Sequence, residues 1–142
     1  MIKNYTTTIE ASKSIGEIIN LLAGIGASYV SQKFRDGDCV AIKFTISHQG
    51  TDVTYSLEPN PEATFLILKS KRKRPNAESD KKDKKQSFKV SWRILKDWTD
   101  AQCALIQLEQ ATPLQLFLSY AWSEKAGNTF YSQIEGNLKL LN

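Results

Sequence analysis

Residues 29–57 read YVSQKFRDGDCVAIKFTISHQGTDVTYSL, and their pattern is the clearest indication of the fold. The segment from Tyr29 to Phe34 can form a strand that turns at Asp36-Gly37, a dipeptide typical of tight hairpins. Apolar residues then recur at a period of two, at Val40, Ile42, Phe44 and Ile46. After a turn around Gln49-Gly50, the same period continues in Val53, Tyr55 and Leu57. The stretch therefore predicts an antiparallel β-meander.

The N-terminal part of the chain predicts a strand followed by a helix. Residues Lys3 to Ile9 alternate and are rich in threonine, which favours an edge strand running as far as Glu10. Ser14 and Glu17 have the spacing of a capping box. Helical intervals then separate the apolar residues Ile15, Ile18, Ile19, Leu22 and Ile25, and two glycines end the pattern at Gly24 and Gly26.

The C-terminal half predicts helices. Asn60 precedes Pro61, so residues 61–69 favour a short helix over a fifth strand. Phe88 to Glu109 carries apolar residues around more than half of a helical cylinder, which predicts the longest helix, with Trp92 and Trp98 in the core. Thr112-Pro113-Leu114-Gln115 begins another helix, and the two should form an antiparallel hairpin. Residues 128–142 have helical spacing interrupted by Gly136.

These patterns together predict one α+β domain spanning residues 1–142. We expect an N-terminal strand and helix, then the antiparallel meander, then a C-terminal helical hairpin packed on the sheet. A length of 142 residues is typical of a single domain, and hydrophobic residues at 41% are enough for one core.

The net charge of +4 is concentrated in one segment. Residues 69–85 hold nine of the 19 basic side chains and three of the 15 acidic ones. Hydrophobic periodicity is lost here, which predicts a mobile basic loop at about residues 70–84. The predicted nucleic-acid or anion-binding residues are Lys69, Lys71, Arg72, Lys73, Arg74, Lys81, Lys82, Lys84 and Lys85.

The remaining residues give no pattern of catalytic or metal-binding chemistry. His48 is the single histidine and lies beside a turn, and Cys39 and Cys103 are too far apart for a metal or redox motif. Glycines in Gly24-Ile25-Gly26 follow a helix, whereas a phosphate-binding loop needs them after a strand. We expect no enzyme, cofactor or metal. Isolated cysteines and the lack of a long apolar run also predict a cytoplasmic protein with no membrane partner.

Two stretches resemble known small proteins. YTTTI at Tyr5–Ile9 through Gly26-Ala27, and WRILKDW at Trp92–Trp98 through FLSY at Phe117–Tyr120, are similar to small proteins encoded by phages and integrated mobile elements. The resemblance covers about two thirds of the chain and involves structural positions. It implies a genomic setting in which proteins typically serve replication and recombination of phage DNA or disarm host defences.

Two functional hypotheses follow from the basic segment. The first is a small nucleic-acid-binding accessory protein that contacts phosphates through these cations, without reading sequence. The second is a counter-defence protein that binds a host protein, or sequesters a small signalling nucleotide in a pocket between protomers of a homo-oligomer. A solvated, solubilising segment is the plainer interpretation. Phe88, Trp92 and Trp98 follow the basic segment, but their helical spacing favours core packing over base stacking.

Overall fold

The computed structural model describes residues 2–142. In chain order its elements are α1 (Ala11–Gly24), β1 (Tyr29–Arg35), β2 (Asp38–His48), β3 (Thr51–Leu57), α2 (Pro61–Ser70), α3 (Ala77–Gln107), α4 (Pro113–Phe117), a 3-10 helix (Leu118–Tyr120), β4 (Trp122–Ser123), β5 (Asn128–Thr129), α5 (Phe130–Glu135) and a second 3-10 helix (Leu138–Leu141). Helices combined with an antiparallel sheet confirm the predicted α+β class.

The described residues divide into two compact units. The helical unit contains residues 2–20 and 59–101, and the sheet unit contains residues 21–58 and 102–142. A single domain over residues 1–142 stays a prediction, because a division by internal contacts does not establish how the chain folds or unfolds.

In the helical unit, α1 buries one face and pairs its charges with α3. Ala11, Ser14, Ile15 and Ile18 are buried at helical intervals. Arg93 of α3 binds the Glu17 carboxylate with an N–O distance of 2.8 Å, and Trp92 is fully buried. The predicted capping box at Ser14 is wrong, because α1 begins three residues earlier and Ser14 lies inside it.

The predicted strand at Lys3 to Ile9 is wrong, and this segment is irregular. Asn4 has a φ of 65°, a left-handed conformation that interrupts an extended strand. The Gln86 side-chain amide donates to the carbonyl oxygens of Tyr5 at 3.0 Å and Thr7 at 2.9 Å. These two carbonyl groups, which would pair with a neighbouring strand in a sheet, thus accept hydrogen bonds from a side chain of α3.

The predicted loop at about residues 70–84 is helical from Ala77 onward, so α3 begins eleven residues before the predicted start at Phe88. The Ser79 backbone N–H donates to the Asn76 side-chain oxygen at 2.9 Å, and the Asn76 backbone N–H donates to the Ser79 hydroxyl at 2.9 Å. This reciprocal pair satisfies donors at the first turn of the helix. The connection that remains between α2 and α3 comprises residues 71–76.

The sheet unit contains the predicted meander, with strand order β1-β2-β3 and antiparallel pairing throughout. At the first turn Asp36 and Gly37 have φ values of 52° and 85°, and at the second turn Gln49 and Gly50 have 51° and 82°. Two consecutive positive φ angles are the mark of the turn type that matches strand twist. The central strand β2 buries Ile42, Phe44 and Ile46.

The predicted helical hairpin is wrong in its second helix, because α4 has only five residues. Its capping box is present, with Thr112 and Gln115 bonded reciprocally. Phe117 packs on the sheet, with its ring 5.2 Å from Phe44 and 5.8 Å from Tyr55. The 3-10 helix Leu118–Tyr120 follows directly, and the backbone of Ala121 then forms a bridge with Tyr55 of β3.

Candidate nucleic-acid interface

The nine predicted cations lie on three parts of the helical unit. Lys69 belongs to the last turn of α2, four residues belong to the connection, and four belong to the first turns of α3. The connection carries Lys71, Arg72, Lys73 and Arg74, and the helix carries Lys81, Lys82, Lys84 and Lys85. The cationic segment is therefore a corner between two helices.

Two of the nine cations hold this corner together. Arg72 forms two hydrogen bonds with the Asp83 carboxylate, from Nε at 2.8 Å and from Nη2 at 2.9 Å. Lys69 Nζ lies 3.3 Å from Asp80 Oδ2. In both pairs the partners are eleven residues apart, so Lys69 ties the end of α2, and Arg72 ties the connection, to the start of α3. Lys69 and Arg72 are thus structural residues of the corner.

The Arg72 pair changes the acidity of its buried partner. Asp83 is buried, and such a carboxylate is costly without a partner. Hydrogen bonds from the Arg72 guanidinium, together with its charge, lower the pKa of Asp83 despite the opposing effect of burial. Asp83 is consequently held in its ionised form.

The seven remaining cations form no salt bridge with any acid among residues 2–142. We call this set the basic corner, and it consists of Lys71, Lys73, Arg74, Lys81, Lys82, Lys84 and Lys85. All seven side chains are exposed. Lys84 Nζ also lies 5.7 Å from the centre of the Phe65 ring, within reach of a cation–π contact.

The rest of α3 has a different electrostatic environment. Lys89 binds Glu10 at 3.2 Å, Arg93 binds Glu17 at 2.8 Å, and Lys96 lies within 4 Å of three different carboxylates. The helix therefore carries cations paired with acids from Lys89 onward and cations without acidic partners in its first turns. Free cations are the ones available to an external anion.

Charge is divided unequally between the units. The residues assigned to the helical unit include 14 basic and eight acidic side chains, a net charge of +6. The sheet unit includes five basic and seven acidic side chains, a net charge of −2. Any polyanion is therefore attracted to the helical unit.

Aromatic side chains near the corner are not arranged for base stacking. Trp92 is fully buried, and Phe88 and Trp98 are half-buried. None of these three rings is fully exposed, whereas single-strand-binding proteins stack bases on exposed aromatic rings. Sequence reasoning overlooked Asn76, Ser79, Asp80 and Asp83, which shape the corner. The Asn76-x-x-Ser79 spacing and the helix-forming residues after it were the signals that could have revealed the early start of α3.

The sheet unit has a cleft of about 380 Å³. It is lined by Ser56, Glu58, Ser119, Tyr120, Thr129 and Tyr131. Its lining includes one carboxylate and no basic side chain, which does not suit a phosphate-bearing ligand. The cleft therefore gives no support to nucleotide sequestration.

Outside the basic corner, the residue types most often used in catalysis and metal binding are in ordinary environments. Cys39 and Cys103 are buried and are not joined in a disulfide, and burial raises the pKa of the Cys39 thiol, which disfavours the reactive thiolate. Across residues 2–142 no cluster of three or more histidine, cysteine or acidic side chains is suited to a metal ion. Within the same range no helix has the length and apolar character needed to span a membrane.

Comparisons with family models, with curated proteins and with solved structures each gave no match.

Proposed function

We propose that this protein binds nucleic acid through the basic corner, contacting phosphates without reading base sequence. The carrying observation is the contrast along α3, where the cations from Lys89 onward are paired with acids and those of the corner are not. Lysine and arginine free of internal partners release counterions from a nucleic acid when they bind its phosphates. We propose that it carries out this activity as an accessory protein of a phage or mobile element.

The geometry supports phosphate contact more than base readout. The three cations of the connection stand next to those of α3, and Lys81 and Lys85 are one helical turn apart. Long, flexible lysine side chains act as point charges, which suits a backbone of repeated phosphates. Specific recognition of bases needs side chains such as Asn, Gln or Arg presented along a groove. The exposed face of the corner is lysine-rich, so we expect low sequence specificity.

The test is a fluorescence-anisotropy titration of labelled single- and double-stranded DNA, and of RNA, at physiological salt. For a non-specific binder we expect a dissociation constant of about 10⁻⁴ to 10⁻⁶ M. The variant Lys71→Gln/Lys73→Gln/Arg74→Gln should bind more weakly. Arg72 stays unchanged, because its loss would confound binding with folding.

A matched control removes three positive charges from elsewhere. Lys13, Lys125 and Lys139 are exposed and form no salt bridge with a described acid. The variant Lys13→Gln/Lys125→Gln/Lys139→Gln has the same net charge as the corner variant and should bind nearly as well as the unchanged protein. Equal weakening in both variants would indicate a diffuse charge effect. Absence of binding to all three nucleic acids would reject the proposal and favour the counter-defence alternative, in which the partner is a host protein.

A further inference from the structure

The three-stranded sheet has one edge that no other described strand covers. The strand order places β1 at one edge and β3 at the other. On the β3 side the backbone of Ala121 forms a bridge with Tyr55. In β1 every residue is exposed except Val30, which is half-buried. An edge strand presents unpaired backbone donors and acceptors, so β1 is a template for another strand.

The side chains of β1 are unusual for a solvated edge. Tyr29 is 73% exposed and Phe34 is 60% exposed. Each aromatic side chain has a large apolar area that gains stability when it is covered. The pairing of β1 with β2 is irregular between Lys33 and Phe34, but the extra residue, Val40, belongs to β2. Val30 and Phe34 are four residues apart in β1 and thus lie on the same face of that strand. A partner strand with apolar side chains at the opposite positions would cover Val30 and Phe34.

We propose that this partner is a second copy of the chain, whose β1 pairs antiparallel with β1 about a two-fold axis at Gln32. In this register Tyr29 lies opposite the second copy's Arg35, which permits a cation–π contact. Val30 lies opposite the second copy's Phe34, an aromatic and β-branched pair of the kind that stabilises antiparallel sheets. Ser31 lies opposite the second copy's Lys33.

The charges of β1 select this register. Centring the axis on Lys33 would place two Lys33 side chains directly opposite each other, which is destabilising. Centring it on Ser31 would leave Phe34 opposite Ser28, without an apolar partner. The axis at Gln32 pairs all seven residues of β1 and sets no like charges face to face. Lys33 thus opposes the register centred on itself, and Phe34 disfavours the register centred on Ser31.

The resulting interface is small. Interfaces well below about 1,200 Å² are typical of weak complexes, so we expect a concentration-dependent dimer at roughly micromolar concentrations. The two β1 strands would form the centre of a continuous six-stranded antiparallel sheet, three strands from each copy. This inference concerns the sheet unit and uses no residue of the basic corner, so it stands independently of the proposed function.

The test is disulfide trapping by introduced cysteines, under mild oxidation of the full chain. Directly opposite residues in an antiparallel pair have Cα atoms about 4.5–5.5 Å apart, within the range that a disulfide requires. Gln32→Cys should therefore form a covalent dimer by itself. Val30→Cys and Phe34→Cys should each stay monomeric alone, since like positions are displaced by about 14 Å along the strands. A mixture of these two variants should form the covalent dimer.

Two controls make the outcome decisive. The unchanged chain contains buried cysteines only, and Lys125→Cys places an exposed cysteine in the turn between β4 and β5, outside β1. Neither the unchanged chain nor Lys125→Cys should match the dimer yield of Gln32→Cys, and circular dichroism should show that every variant is folded. Sedimentation of the unchanged chain should also shift toward dimer as its concentration rises. A monomer at all concentrations, or equal trapping at all positions, would overturn the proposal.

Discussion

At the scale of single residues, Trp92 has the largest buried side chain in the described part of the chain. It has no solvent exposure, and its indole nitrogen has no hydrogen-bond partner among residues 2–142. Trp92→Ala should therefore lower the free energy of unfolding by about 3–5 kcal/mol, measured by chemical denaturation.

Two further substitutions test the same assignment. Trp92→Phe should cost less than Trp92→Ala, because it keeps a ring and removes an unpaired buried donor. Trp98→Ala should also cost less, because Trp98 is half-buried. Equal losses at positions 92 and 98 would contradict the difference in burial.

The Asp83 carboxylate predicts a pH dependence of stability. Its pKa is lowered in the folded protein by the hydrogen bonds from Arg72. Its ionised form therefore stabilises the fold above the ordinary aspartate pKa of about 3.9, and this contribution is lost as pH falls through the lowered value. Asp83→Asn should be less stable than the unchanged protein at pH 7, and the difference should shrink below pH 4.

Denaturation midpoints from pH 7 to pH 3 would measure this change. Asp52→Asn is the matched control, because Asp52 is exposed and forms no salt bridge with a described cation. The control should not reproduce the pH-dependent difference. If the stability difference between Asp83→Asn and the unchanged protein stayed constant with pH, the stabilisation from the Arg72 pair would not depend on an ionised Asp83.

At the scale of elements, the early start of α3 predicts a protease pattern. Limited trypsin digestion should cut first after Lys71, Arg72 or Lys73 in the exposed connection, and later at the lysines within α3. Arg74 precedes Pro75, a bond that trypsin cleaves poorly. Mass spectrometry of early fragments identifies the sites. First cuts after Lys81, Lys82, Lys84 or Lys85 would indicate that this part of the helix is frayed.

The Asn76 cap offers a second measurement on the same element. Asn76→Ala removes the acceptor for the Ser79 N–H and should cost about 1 kcal/mol. It should also increase cleavage at Lys81 and Lys82. No change in stability or cleavage would show that the first turn of α3 does not depend on this cap.

Sequence patterns predicted the meander, because its turns leave a local signature. Asp36-Gly37 and Gln49-Gly50 adopt positive φ angles, and the apolar residues between them alternate as a half-buried strand requires. The start of α3 was missed because residues 77–86 are nearly all polar, so no apolar stripe marks the helix. The N-terminal strand was predicted from alternation and threonine content, which are local signals and carry no information about a partner strand.

Two of the nine predicted site residues have a structural role that the sequence did not reveal. All nine cations lie at one corner, but Lys69 and Arg72 hold Asp80 and Asp83. Such pairing depends on a turn that brings together residues eleven positions apart, and charge counting along the chain carries no information about it. Their function in binding stays a prediction.

The helical part of the basic corner should contribute to binding separately from the connection. Lys82 and Lys85 are exposed and three residues apart, so they lie on neighbouring positions of α3. Lys82→Gln/Lys85→Gln should weaken DNA binding several-fold with little change in stability, since glutamine forms helices about as well as lysine. Lys13→Gln/Lys125→Gln is the matched control for anisotropy titration. Unchanged affinity for DNA would restrict the interface to the connection.

At the scale of the whole molecule, charge is the property that connects fold and proposed function. A net charge of +4 arises from a helical unit at +6 and a sheet unit at −2. Because the lysines and the arginine of the basic corner form no salt bridge with a described acid, their charges are available to an anionic ligand. Long-range attraction of this kind is screened by salt over about 10 Å at 0.1 M. Binding should therefore depend strongly on ionic strength.

The salt dependence of DNA affinity tests the proposed interface most directly. We would measure the slope of log K against log salt concentration for the unchanged protein, for Lys71→Gln/Lys73→Gln/Arg74→Gln and for the matched control at Lys13, Lys125 and Lys139. Each phosphate contact with duplex DNA contributes about −0.9 to the slope, so losing three contacts should flatten it by roughly 2.7. The control should keep the slope of the unchanged protein. A slope near zero, or equal slopes for all three proteins, would contradict phosphate binding by the basic corner.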